Sequence, residues 1–223
     1  MTDGGFEAVA VNGSNPRARI DHTVTSGTFS LDGGTWEVDN NVWVIGDTHE
    51  CVVIDAPHDA HAIAALIGER ALLAVLCTHA HDDHITAARA LAQEFDAPVR
   101  LHPDDDVLWR QTYPDFDFEP LTDGDGIMVA DVHLDAIHTP GHAPGAVCYY
   151  SPELGALFSG DTLFKGGPGA TGRSYSDFDT IIASIRDSVL SLPSETVVHP
   201  GHGDDTSIGA EADHLDEWIA RGH

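Results

Sequence analysis

The chain has 223 residues and carries 37 acidic against ten basic side chains, a formal charge of −27, with Lys165 the lone lysine. A surface of that sign repels phosphate backbones and anionic bilayers, which argues against nucleic-acid and membrane partners and for a small-molecule substrate. Apolar content is 42%, no apolar run reaches the ~18–20 residues of a membrane span, and the opening MTDGGFEAVAVNG has neither the basic start nor the apolar segment of a secretory signal, so a soluble cytoplasmic protein is expected.

Residues 27–46, GTFSLDGGTWEVDNNVWVIG, alternate polar and apolar around turn residues and read as antiparallel strands. CVVIDAP is a short buried strand ending at Asp55. HDAHAIAALIGER follows as a helix with Ile63, Leu66 and Ile67 on one face. ALLAVLC is a continuous apolar run, the pattern of a strand buried on both faces. After the polar cluster at 79–84 a helix carries Ile85, Ala88, Leu91 and Phe95. APVRLH is a strand, and PDDDVLWRQTYPDFDFEP a short helix and loop. GIMVADVHLDAIHT and AVCYYSPELGALFSGD are strands, the latter turning at Pro152. Residues 176–192 form a helix with a stripe of Phe178, Ile181, Ile182, Ile185, Val189 and Leu192. Ser176 with Asp179 is expected to cap that helix as a capping box. ETVVHPGHG is a last strand and loop, and AEADHLDEWIARGH an amphipathic tail helix. Strands alternating with helices, with no linker between residues 50 and 210, predict one layered domain spanning 1–223. Of the three cysteines, Cys51 and Cys77 border apolar runs and are expected as buried thiols; with Cys148 they make no CxxC pair or disulfide framework.

Metal-type ligands follow five of the strands: Asp55, the segment His79-Ala80-His81-Asp82-Asp83-His84, His142, Asp161 and His202. Polar loops gather beyond strand ends in layered α/β proteins, so five such loops predict one shared centre. His79 and His81 are two apart and can converge on one ion with His142. Asp83 and His84 face a second ion with His202, and Asp161 can bridge both through its two oxygens. Imidazole and carboxylate suit a first-row divalent ion; zinc is the default, with iron and manganese compatible. His22, His58, His61, His133, His214 and His223 are expected as ordinary surface histidines, His199 as a non-ligand, and His138 as a residue that orients its loop.

THAHDDH, HTPGHAPG, FSGDTLF and HPGHG, in this order, resemble the metallo-β-lactamase superfamily over roughly residues 27–212. The resemblance implies an α+β fold, the four-layer αββα sandwich. It implies that His79, His81, His142 and Asp161 hold one metal and that Asp83, His84, Asp161 and His202 hold the other. Asp55 would then support the ligands from behind. SGDTLF and HTPGH are most similar to glyoxalase II-like (hydroxyacylglutathione hydrolase-like) enzymes, which cleave thioesters of 2-hydroxy acids. By that likeness Lys165, Arg173 and Tyr175 in FKGGPGATGRSYSD would contact substrate. Only 21 residues follow His202, so the helical C-terminal domain of glyoxalase II is expected to be lacking. The expected reaction is hydrolysis of a thioester or related ester by a metal-bridging hydroxide, with Asp83 orienting the nucleophile and Asp161 holding the bridge. Competing expectations are a mononuclear iron persulfide dioxygenase-like enzyme and a lactonase or β-lactam hydrolase on the same centre.

Overall fold

The computed structural model describes residues 17–222. It opens with a long hairpin, β1 Arg19–Leu31 and β2 Gly34–Gly46, paired from Arg19↔Gly46 to Leu31↔Gly34. The turn places Asp32 (φ 53°) and Gly33 (φ 77°) in the left-handed region, as a two-residue type I′ hairpin requires and as Asp-Gly permits. Next come β3 Glu50–Ile54, α1 Ala60–Ile67, β4 Ala71–Leu76, α2 Asp82–Ile85, α3 Ala88–Phe95, β5 Val99–Leu101, α4 Asp106–Thr112 and β6 Glu119–Pro120. The six strands form one sheet in sequence order, β1 to β6.

The second half contributes β7 Gly126–Val129, β8 Val132–His138, β9 Val147–Ser151, β10 Ala156–Gly160 and the small hairpin β11 Leu163–Phe164 with β12 Gly167–Pro168. It continues with α5 Phe178–Ser184, β13 Val197–Pro200, β14 Thr206–Ser207, α6 Ile208–Ala212 and α7 Leu215–Arg221. Its main sheet runs β14-β13-β10-β9-β8-β7.

Three separate cores give the layering. Val42, Val44, Val53 and Val75 on one face of the first sheet pack against Ile63, Leu91 and Trp109 from the helices outside it. The alternate residues Trp43, Ile45, Ile54 and Leu76 meet Leu134, Val147, Tyr149 and Phe158 of the second sheet. Leu157, Cys148 and Val198 on the far face of that sheet pack under Ile181, Ile185, Ile208 and Trp218. This is the expected αββα order. It explains why ALLAVLC reads as an unbroken apolar run, since from Ala74 onward it buries both faces, whereas Ala71 and Leu73 near its start are exposed. All three cysteines are buried free thiols.

Strand direction brings the polar loops together. β3 and β4 are parallel, and both end at the same edge of the first sheet. β8, β9 and β10 are antiparallel in turn and β10 is parallel to β13, so β8, β10 and β13 share a direction in the second sheet. The loops after β3, β4, β8, β10 and β13 carry Asp55, His79 to His84, His142, Asp161 and His202, respectively.

Three expectations about local structure are corrected. The cap of α5 is Asp177, whose Oδ1 accepts from Thr180 N at 2.8 Å. Ser176 instead closes its own preceding turn, with Oγ accepting from Gly172 N and Arg173 N. Asp at the N-cap already satisfies the first orphan donor, which leaves no role for Ser176 there. The tail helix is split at Asp213–His214 into α6 and α7, and the helix expected over 176–192 is regular only to Ser184, continuing as a π-turn through Val189.

Candidate metal centre

Four of the five cluster histidines are held in orientation from outside the cluster. Asp55 has a left-handed backbone (φ 57°) and is buried at the end of β3. Its Oδ1 accepts from Thr78 N at 2.7 Å, and its Oδ2 accepts from Thr78 Oγ1 and from His84 Nδ1, both at 2.8 Å. With its proton given to Asp55, Thr78 Oγ1 accepts from His79 Nδ1 at 3.0 Å. His142 Nδ1 donates to Ala170 O at 2.8 Å, and His202 Nδ1 donates to Asp39 O at 2.7 Å. Four imidazoles therefore carry a proton on Nδ1 and aim Nε2 inward.

Inward, the ligand atoms fall into groups. His79, His81 and His142 form one, with His81 Nδ1 lying 3.0 Å from both His79 Nε2 and His142 Nε2. Asp83, His84 and His202 form another, with Asp83 Oδ2 3.3 Å from His202 Nε2 and 3.7 Å from His84 Nε2. Asp161 stands between them. Its Oδ1 is 3.4 Å from His84 Nε2, and its Oδ2 is 3.5 Å from both His142 Nε2 and His202 Nε2. Asp161 Oδ1 and His81 Nε2 are buried without a hydrogen-bond partner. Gly201 permits this approach, because a Cβ there would strike Asp161 Oδ1 and His84 Cε1.

The two groups differ in charge. Burial pushes His79 well below the usual imidazole range, and it brings His81 down to about 3. These rings are neutral, and three lone pairs face one point with too few protons to pair them; the first trio thus fits a cation on its own geometry. Burial also opposes charge on His84, but Asp161, Asp83 and Asp55 outweigh it and hold its pKa well above the ordinary value. The carboxyl of Asp161, likewise penalised by burial, is held well below its usual range by His84, His202 and His142. Carboxylates and imidazoles within 4 Å of one another fit a second divalent ion, which would supply the positive charge otherwise carried by protons.

The cluster opens into a cavity of about 240 Å³. Its far wall is apolar, built by Phe29, Leu31, Trp36 and Val38 of the β1–β2 hairpin. Arg173 lines it as well, its guanidinium 3.9 Å from the centroid of the Trp36 ring. Lys165 lies elsewhere, bonded to Asp204 at 3.1 Å in a shallow depression beside His202. Tyr175 is 46% exposed on a left-handed backbone (φ 70°) and is not part of the cavity wall, although Arg173, Ser174 and Ser176 around it are.

His199 is held away from the cluster, stacked on Phe158 and tilted against Trp43. His138 donates Nε2 to Pro144 O at 2.9 Å, bracing the loop that carries His142. His58 is not the ordinary surface histidine expected: it is half-buried and its Nε2 bonds Asn40 Oδ1 at 2.8 Å. Sequence reading also passed over Asp39-Asn40-Asn41 in β2 and Asp105. Asn41 pins the His202 loop through Nδ2 to Pro200 O and Gly203 O, both 3.0 Å. Asp105 joins the loops of His81 and His142 by accepting from Ala80 N at 2.7 Å and from Gly145 N. The signal was available in the polar doublet NN inside an apolar strand, since buried amides need partners.

Residues 35–202 match the family model described as the metallo-beta-lactamase superfamily. The "Probable metallo-hydrolase YqgX" of Bacillus subtilis is 34% identical over 188 residues, which cover 78% of this chain and 89% of that protein. A hydroxyacylglutathione hydrolase of Aeromonas salmonicida is 36% identical over 171 residues, 74% of this chain but 61% of that protein. The crystal structure of TTHA1623 in a di-iron-bound form has a TM-score of 0.71 at 34% identity, covering 78% of this chain and 93% of that one. These relatives agree with the glyoxalase II-like subgroup, and with the matched motifs and the fold they establish that the chain belongs to the metallo-beta-lactamase superfamily.

Proposed function

We propose that this protein is a dinuclear-metal-dependent hydrolase that cleaves a thioester, of the 2-hydroxyacyl-thiol type, or a related ester. The observation that carries the reading is Asp161, whose two oxygens stand between the ligand trios of His79, His81, His142 and of Asp83, His84, His202. Two divalent cations held there would make water nucleophilic at neutral pH and polarise a carbonyl oxygen.

The chain's own groups supply the rest. Asp83 and Asp161 present acceptors on the cavity side, where they can take a hydrogen bond from the attacking water and orient it. A thiolate departs with little need of a general acid, since free thiols have a pKa near ~8.5. Phe29, Leu31, Trp36 and Val38 exclude water and pack the body of the substrate. Arg173, stacked on Trp36 and within electrostatic reach of the Asp32 carboxylate, offers a cation on the cavity wall to a substrate carboxylate in an otherwise strongly acidic protein. Lys165, occupied by Asp204, and Tyr175, outside the cavity wall, are proposed as peripheral to the carrier group rather than in contact with the acyl group.

Metal quantification on protein from its native host, paired with thioester, lactone, β-lactam and persulfide substrates, tests the reading. Two equivalents of metal and chelator-sensitive thioester hydrolysis are expected. Oxygen uptake with a persulfide and no thioester cleavage would replace it with the dioxygenase reading, and iron in place of zinc alone would revise only the metal.

A further inference from the structure

Asn40 is fully buried on β2, and its side chain enters the second ligand trio. Its Nδ2 lies 3.1 Å from Asp83 Oδ2, 3.3 Å from His202 Nε2 and 3.4 Å from His84 Nε2. Donor atoms that share one ion at ~2.0–2.2 Å are separated by about 3–3.5 Å, from square to tetrahedral angles. The end of the Asn40 amide therefore occupies a ligand position around the point on which these three atoms converge. An N–H group directed at a cation is repelled by it. A carboxamide turned by 180° fills the same volume with oxygen and nitrogen exchanged, and its oxygen is a metal ligand.

The other end of the amide meets a side chain that can accommodate both orientations. His58 Nε2 is 2.8 Å from Asn40 Oδ1, donating to it as the amide now stands. With the amide turned, the same nitrogen accepts from Nδ2 if the imidazole carries its proton on Nδ1. The ring is placed there deliberately by the backbone. His58 adopts a left-handed conformation (φ 50°), uncommon for histidine, and its N–H is tied to Thr86 Oγ1 at 2.9 Å. Position 27 is glycine, and a Cβ there would land on the imidazole. A strained residue, a missing side chain and a buried amide all serve one contact.

The geometry points to Asn40 as an additional oxygen ligand of the second cation, with His58 as the residue that positions it by exchanging tautomers when the cation binds. The inference rests on the two-cation reading above.

The test is a zinc titration of the metal-stripped full-length protein, followed by the ¹⁵N signals of the His58 ring and by chelator competition. In the wild type the first equivalent is expected to leave His58 protonated on Nε2, and the second to move the proton to Nδ1. Asn40→Ala is expected to weaken the second equivalent by about 10–100-fold while the first stays within about threefold, and Asn40→Asp to restore the second. A His58 ring that keeps its Nε2 proton with two zinc ions bound overturns the inference, and that measurement requires no variant. Tighter second-site binding in Asn40→Ala also overturns it, and would mean that the amide competes with the cation. A wild type that takes up a single equivalent overturns the two-cation reading and this inference together, whereas two equivalents held equally by wild type and Asn40→Ala remove only the role of Asn40.

Discussion

Replacing Asp55 tests whether the centre is held from outside, because this residue touches two loops and none of the inward-facing ligand atoms. In Asp55→Ala three buried donors lose their acceptor: Thr78 N, Thr78 Oγ1 and His84 Nδ1. The hydroxyl can rotate toward another partner, but the backbone N–H and the imidazole N–H cannot. Each such donor left unmet costs about 1–3 kcal/mol. The left-handed backbone at φ 57° adds about 1 kcal/mol when a Cβ-bearing residue replaces an aspartate that tolerates it. The total is about 3–7 kcal/mol, or roughly 6–28 °C in Tm at 2–4 °C per kcal/mol for a chain of this size. Asp55→Gly relieves the backbone share and should recover about 1 kcal/mol of it. The assay is denaturant unfolding of chelator-treated protein followed by tryptophan fluorescence, with metal content measured in parallel. Metal affinity should fall about 10–100-fold, because His84 and, through Thr78, His79 lose the groups that set their tautomers. An Asp55→Ala variant within about 1 kcal/mol of wild type, with metal affinity unchanged, would refute the reasoning that these tautomers are imposed by Asp55.

Burial raises the carboxyl of Asp105 to about 6 although it accepts from Gly145 N and Ala80 N. Its folded pKa lies above the unfolded value, so ionised Asp105 costs the native state about 3 kcal/mol at neutral pH, from a shift of about two units at 1.36 kcal/mol each. Wild type should therefore gain on Asp105→Asn, a variant that does not titrate, as pH falls from 7 through 6 to 4; a constant difference in unfolding free energy across that window would exclude it. Chelation should lower Tm, with about 2.7 kcal/mol lost per site relative to protein at a free-metal concentration a hundred times the Kd, as read by calorimetry with and without added metal; equal Tm values would remove the metal from the folded state's energetics. Arg173→Ala should raise KM about 10–100-fold for substrates bearing a carboxylate while leaving kcat and neutral substrates nearly unchanged, and an equal loss on neutral substrates would assign Arg173 to the packing of Trp36 instead.

The local features of this chain were written in its sequence. Apolar runs such as ALLAVLC marked strands buried on both faces, and the polar segments after them marked the edge where ligands gather, because burial and period act within a few residues. The HxHxDH spacing put His79 and His81 on one turn and Asp83 and His84 on the next short helix. The parts of the centre that sequence reading missed are those that meet only across the fold. Asn40 reaches His202 over 162 positions, and Asp105 ties Ala80 to Gly145. An asparagine or an aspartate carries no periodic signature of such contacts. Their partners are set by which strand ends lie side by side, and that is decided when two sheets close over a common core, where every buried amide and carboxyl must find its counterpart or forfeit its hydrogen bond.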